Sequence, residues 1–140
     1  MEYQIVQNLI NKKTKIMTVS ELKKEWLTQL GNPNHLNLYF AAICEWDIDG
    51  PGYAGPPISQ IVKINYRGSD VLALVYSLKN GGADRTASDA MYCISCAKIA
   101  DNAEVVLLDE DTRVVSSITS TYYIYGEMLL FISNLTKNMF

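Results

Sequence analysis

Apolar residues recur along this chain with two different periods, and the change of period predicts where helix gives way to strand. Tyr3, Val6, Leu9 and Ile10 share one face of a short helix that Asn11-Lys12-Lys13 closes. Thr18 and Glu21 have capping-box spacing, Leu22, Trp26 and Leu30 form a helical stripe, and Gly31-Asn32-Pro33 stops it. A second helix is therefore expected over 18–30. From Leu36 the period becomes two: Leu36, Leu38, Phe40, Ala42, Cys44, Trp46 and Ile48 fall on one face, with Asn37, Tyr39, Glu45, Asp47 and Asp49 opposite. This predicts a long strand with one core face. The Pro/Gly-rich stretch 49–57 is unsuited to a central ladder and reads as an exposed, mobile surface loop. Alternation returns through Val62, Ile64 and Tyr66, and Arg67-Gly68-Ser69-Asp70 is expected to turn the chain back as a hairpin.

The stretch 70–111 organises the rest. Residues 71–78 are apolar on both alternating faces, which predicts a strand buried on two sides. Asn80-Gly81-Gly82 turns the chain, and Thr86 with Asp89 opens a helix whose stripe is Ala90, Cys93, Ile94, Ala97 and Ala100. A second apolar strand at 104–108 runs into the polar turn Asp109-Glu110-Asp111-Thr112. Further strands are expected over 113–119 and 121–125. For 127–140 both periods fit, and helix is preferred. The fold class expected is α+β: a single-layer, largely antiparallel sheet of five to six strands covered by N-terminal, central and C-terminal helices. The alternative is α/β with one parallel βαβ unit at 70–109.

Composition narrows the function classes. At 140 residues, 49% hydrophobic and 19% charged, residues 1–140 are expected to form a single globular domain. No apolar run reaches membrane-span length and the start lacks signal-peptide character, so a cytoplasmic protein with no membrane contact is expected. Three cysteines cannot all pair, which also favours a reducing compartment. The net charge of -3 gives no electrostatic pull toward nucleic acid. It is uneven, +3 over residues 1–24 and -6 over the remainder, but lysines on solvated helix faces account for that.

Candidate chemistry is sparse. His35, Cys44, Cys93 and Cys96 have the residue types of a zinc site, yet nine strand residues would hold His35 and Cys44 roughly 30 Å apart and on opposite faces. The three cysteines are expected to be reduced and metal-free, and no cofactor is expected. The run from Tyr92 to Ile99, with Cys93-Ile94-Ser95-Cys96, resembles the Pro-Cys-x-x-Cys helix of the zinc nucleobase deaminases over about fifteen residues. Tyr92 stands where that family has proline, and no His-x-Glu or Cys-x-Glu lies upstream to complete the zinc set. No nucleophile is placed beside a base, so no catalytic residue is assigned.

Two readings follow. In the first, the chain is a small non-catalytic binding or regulatory module of the inhibitor or adaptor type, acting through protein–protein contacts as a homodimer or with another protein. Tyr53, Tyr122, Tyr123 and Tyr125 supply the interface, with 113–125 at a sheet edge. In the alternative, Asn80, Gly81, Gly82, Arg85, Thr86 and Ser88 at the helix start, with Asp109 and Asp111 nearby, hold an anionic or phosphate-bearing small molecule. Parallel pairing of the 71–78 and 104–108 strands would favour the second reading, antiparallel pairing the first.

Overall fold

The computed structural model describes residues 16–29, 36–46, 50–82, 85–124 and 128–133. Thr18 accepts the Glu21 N–H on its hydroxyl at 3.2 Å and so opens α1 (Val19–Gln29), as the capping-box spacing predicts. Val19 and Leu22 carry this helix into the core. The expected helix at 3–13 and the segment 134–140 lie outside the described residues.

The period-two region divides in two. β1 (Asn37–Phe40) is followed at once by β2 (Ala42–Trp46), which leaves the main sheet to pair antiparallel with β3 (Gly50–Ala54) in a two-stranded ribbon. The expectation of a loop over 49–57 is thus corrected at 50–54. Pro51 lies opposite Glu45 in a ribbon that leaves one side of each strand unpaired within it, where a missing N–H costs little. The long strand expected over 36–48 breaks at Ala41, because alternation reports which face a residue takes and not which strand lies beside it.

The hairpin forms as expected. β4 (Gln60–Tyr66) and β5 (Ser69–Tyr76) are joined by Arg67 and Gly68 at φ 54 and 83, the two positive values that a two-residue turn of this hand requires. After the short β6 (Arg85–Thr86) comes α2 (Ala87–Ala97), then β7 (Val105–Asp109), β8 (Val115–Ile124) and β9 (Met128–Ser133). The sheet has seven strands in the order β4-β5-β7-β8-β9-β1-β6. β5 and β7 are parallel across α2, and β1 and β9 are also parallel.

This overturns the expected fold class. The molecule is mostly sheet, seven-stranded and mixed, with two short helices among the described residues, in place of a largely antiparallel sheet of five to six strands under three helices. The preference for a helix at 127–140 fails at β9. Leu129, Leu130 and Phe131 are all buried between β8 and β1, and burial on both faces erases the alternation that marks a strand. β8 stands between β7 and β9 in the strand order but divides its pairing: residues 115–117 pair with β7 and residues 118–124 with β9, and the second ladder carries a register shift between Ile118 and Ser120.

The sheet curls so that β1 and β5, which are not neighbours in the strand order, come together. Phe40 N–H donates to Pro56 at 3.0 Å, Ile58 N–H to Leu38 at 2.8 Å and Ser59 N–H to Val75 at 2.8 Å, so residues 56–59 tie β1 to β5. Leu38 and Phe40, Leu72, Leu74 and Tyr76, Val105 and Leu107, Ile118, Leu129 and Phe131 line the inside. Val19 and Leu22 from α1 and Ala87, Ala90 and Ile94 from α2 complete that core, each buried valine, leucine or isoleucine contributing about 1.5–3 kcal/mol. α2 also shields the outer side of β4, where the Cys93 thiol reaches the Ile61 carbonyl at 3.3 Å and Lys63 reaches Ala97 at 3.5 Å. No helix among the described residues is long and apolar enough to cross a membrane.

Candidate functional site

Parallel pairing of β5 and β7 places Tyr76 opposite Asp109, and with them the strand ends that carry the glycine loop and the acidic turn. Asn80, Gly81, Asp109 and Asp111 are brought together as the sequence pattern predicts. Ser77 is the hub: its hydroxyl donates to Asp111 Oδ1 at 2.8 Å and accepts the Asn80 N–H at 2.9 Å, while its carbonyl accepts the Gly81 N–H at 2.9 Å. Asp111 Oδ2 takes the Lys79 N–H at 3.1 Å, and Asp109 Oδ1 takes the N–H groups of Asp111 and Thr112 at 2.9 and 3.3 Å. The loop is thus cross-linked by the Asp111 carboxylate, while Asp109 ties up amides of its own turn.

The other loop candidates serve different ends. Gly82 lies against Ser59, and Arg85 Nε donates to the Ser59 carbonyl at 3.0 Å. Thr86 caps α2 in a complete capping box, its hydroxyl accepting the Asp89 N–H at 3.3 Å and its own N–H donating to the Asp89 carboxylate at 2.9 Å. Ser88 sits half-buried in the first turn. Donors that an anionic ligand would use therefore already hold the carboxylates of Asp111 and Asp89.

The Ser77 hydroxyl, and then the Lys79 amide, hold the Asp111 carboxyl below the usual carboxylate range. A group depressed in the folded state stabilises it above the unfolded value and loses that contribution as pH falls through the folded one. Melting curves of Asp111→Asn are accordingly expected to start lower than wild type at neutral pH. The gap should close below about pH 4; a gap that persists unchanged to pH 2 would show that the Asp111 charge has no part in it.

Among the described residues, two buried oxygens stand without a hydrogen-bond partner, Tyr76 Oη and Ser116 Oγ. Burial pushes the Tyr76 phenol well above its ordinary value, and the nearby Asp109 and Asp111 add to the rise. Burial likewise pushes the Cys93 thiol up, with Cys96 adding to it, so Cys93 is the protonated, weakly nucleophilic form. Cys93 and Cys96 are free, and among the described residues no three His, Cys, Asp or Glu side chains group to hold a metal ion. The backbone of Tyr53 lies in β3 and that of Tyr122 and Tyr123 in β8; Tyr125 and His35 are outside the described residues.

The sequence pattern missed two surfaces. On the outer face of the curled sheet, Val71, Ala73 and Val106 are buried within a ring of partly buried Val62, Ile64, Tyr66, Leu108 and Val115. The apolar character of β5 on both faces was the available signal. A groove of about 930 Å³ adjoins this outer cluster, sharing Tyr66, Val71 and Val115 with it, and opens between the β4–β5 turn, the loop from Lys98 to Glu104, and Val114 to Ser117. Its residues come from four separate segments, Ile16 being one, which no local motif links.

No protein-family model matches this chain, and the searches of curated proteins and of solved structures found no similar protein.

Proposed function

We propose that this protein is a non-catalytic binding module that acts through protein–protein contacts, and that a second copy of the chain is the partner of its outer sheet face. The observation behind this reading is the apolar outer cluster. A sheet face turned to water ordinarily alternates to polar residues, whereas β4, β5, β7 and β8 present valine, isoleucine, leucine and tyrosine there. Two such faces stack as in a sandwich, about 10 Å apart, and a two-fold axis sets the same patch against itself. Four strands about 4.8 Å apart and some five residues of about 3.3 Å give a footprint of roughly 300 Å², of which only the partly buried rim around Val71, Ala73 and Val106 is left to a partner. Stable complexes bury about 800 Å² per partner, so this contact is weak and concentration-dependent. A regulatory role suits such reversible pairing, and the free thiols of Cys93 and Cys96 suit a reducing, cytoplasmic setting.

The alternative, an anionic ligand at the Gly81-Gly82 loop, gains from the parallel β5–β7 pair. Against it stand the two internal carboxylates on the loop's donors. Sedimentation equilibrium separates the readings. Wild type is expected to shift from monomer toward dimer into the high micromolar range, while Ile64→Lys and Leu108→Lys stay monomeric with unchanged circular dichroism. A wild type that remains monomeric throughout would sink the self-association.

A further inference from the structure

Arg67 and Lys98 are held at φ 54 and 54, and both line the same groove. Each occupies a place where glycine or asparagine is least strained, Arg67 in the tight β4–β5 turn and Lys98 at the C-cap of α2. Left-handed backbone costs a residue with a Cβ some strain, here set by the turn and the cap; Arg113, at φ 63, carries it outside the groove. Neither cation is ion-paired to a described residue, and the Arg67 guanidinium lies 5.0 Å over the Tyr66 ring. The same groove contains Ile16 and Val114, large apolar side chains that are 44% and 45% exposed. Its volume of about 930 Å³ is that of a small-molecule site.

We propose that this groove binds a free amphiphilic anion, an alkyl or acyl chain ending in a phosphate or carboxylate, with its head between Arg67 and Lys98 and its chain against Ile16 and Val114. Planar forked donors and an ammonium suit such a head, and exposed aliphatic side chains gain by covering a chain. Concavity favours a single molecule over a flat bilayer. Asp70 and Glu104 also line the groove, the latter accepting the Ser117 hydroxyl at 2.9 Å, and they oppose the head electrostatically. Neutralising Glu104 therefore strengthens binding.

The test is calorimetric titration with decanoate and with dodecyl phosphate below its micelle concentration. Saturable one-to-one binding is expected, weakened about tenfold by Arg67→Gly and about tenfold by Lys98→Gly, and tightened by Glu104→Gln. Both glycine variants should melt no lower than wild type, because glycine relieves the positive φ, so lost binding cannot be put down to lost fold. Inorganic phosphate alone and uncharged dodecyl maltoside should not bind. The proposal is overturned by no binding of either anion, by undiminished binding in the double glycine variant, or by inorganic phosphate binding as tightly as dodecyl phosphate. It is equally overturned if the protein sediments with phosphatidylglycerol vesicles and ignores the free amphiphiles.

Discussion

Phe40→Ala is expected to destabilise the fold by about 3–5 kcal/mol, read as a fall in Tm of roughly 10–15 °C. Phe40 is fully buried and stacks on Tyr76 with ring centroids 3.9 Å apart and planes within 2°. β1 and β5 are separated in the sheet by β7, β8 and β9, so this ring pair spans the inside of the curl beside the 56–59 tie. Truncation opens a cavity whose walls are strand backbone and cannot collapse to fill it. Tyr76→Phe is the opposite case. It removes a buried hydroxyl that has no partner, and should be neutral or stabilising by up to about 1 kcal/mol. Because the folded state holds the Tyr76 proton more tightly than the unfolded chain, its advantage is complete below about pH 10 and lost as pH rises beyond it. Tyr76→Phe should therefore melt higher than wild type at neutral pH and lose less in alkali. A Phe40→Ala protein within about 1 kcal/mol of wild type would contradict the role given to the stack.

Gly82→Ala is expected to cost about 2–3 kcal/mol although its backbone conformation is open to alanine. The new Cβ would run into Ser59 Cβ, with Ser59 Cα only 3.3 Å away. Ser59 cannot withdraw: its N–H donates to Val75 at 2.8 Å, its hydroxyl to the same carbonyl at 3.2 Å, and its own carbonyl receives Arg85 at 3.0 Å. The glycine is therefore a matter of close approach. Ser59→Gly should recover much of the loss in the double variant, giving a coupling of opposite sign to the single effect. Equal melting temperatures for wild type and Gly82→Ala would refute the clash.

What the sequence showed depended on whether a signal was local. The caps at Thr18 and Thr86, the Arg67-Gly68 turn and the two-faced burial of β5 are each written within a few residues, and the structure has them. For the stretch from Val71 to Asp109 the pattern allowed parallel or antiparallel pairing, and the structure has the parallel form. The order of strands was not legible. Nothing in the residues around Phe40 or Phe131 announces that β1 and β9 lie side by side, and Leu129 to Phe131 had lost their alternation through burial on both faces. The acidic turn was legible as a partner of the glycine loop, but Asp111 binds the loop's own Lys79 amide while Asp109 binds amides of its own turn, a choice set by tertiary distance. Arg67 and Lys98 share a groove only because the hairpin turn and the end of α2 meet in space.

The parallel pairing of β1 with β9 bears on how the chain is made. Asn37 stands opposite Met128, so β1 leaves the ribosome roughly ninety residues before its sheet neighbour exists. At about 5–20 residues per second this is a wait of roughly 5–20 s. During that interval Leu38 and Phe40 have no β9 to lie against and the sheet cannot curl shut. Vectorial synthesis thus delivers a half-built sheet with an open flank, and truncations before Met128 are expected to aggregate.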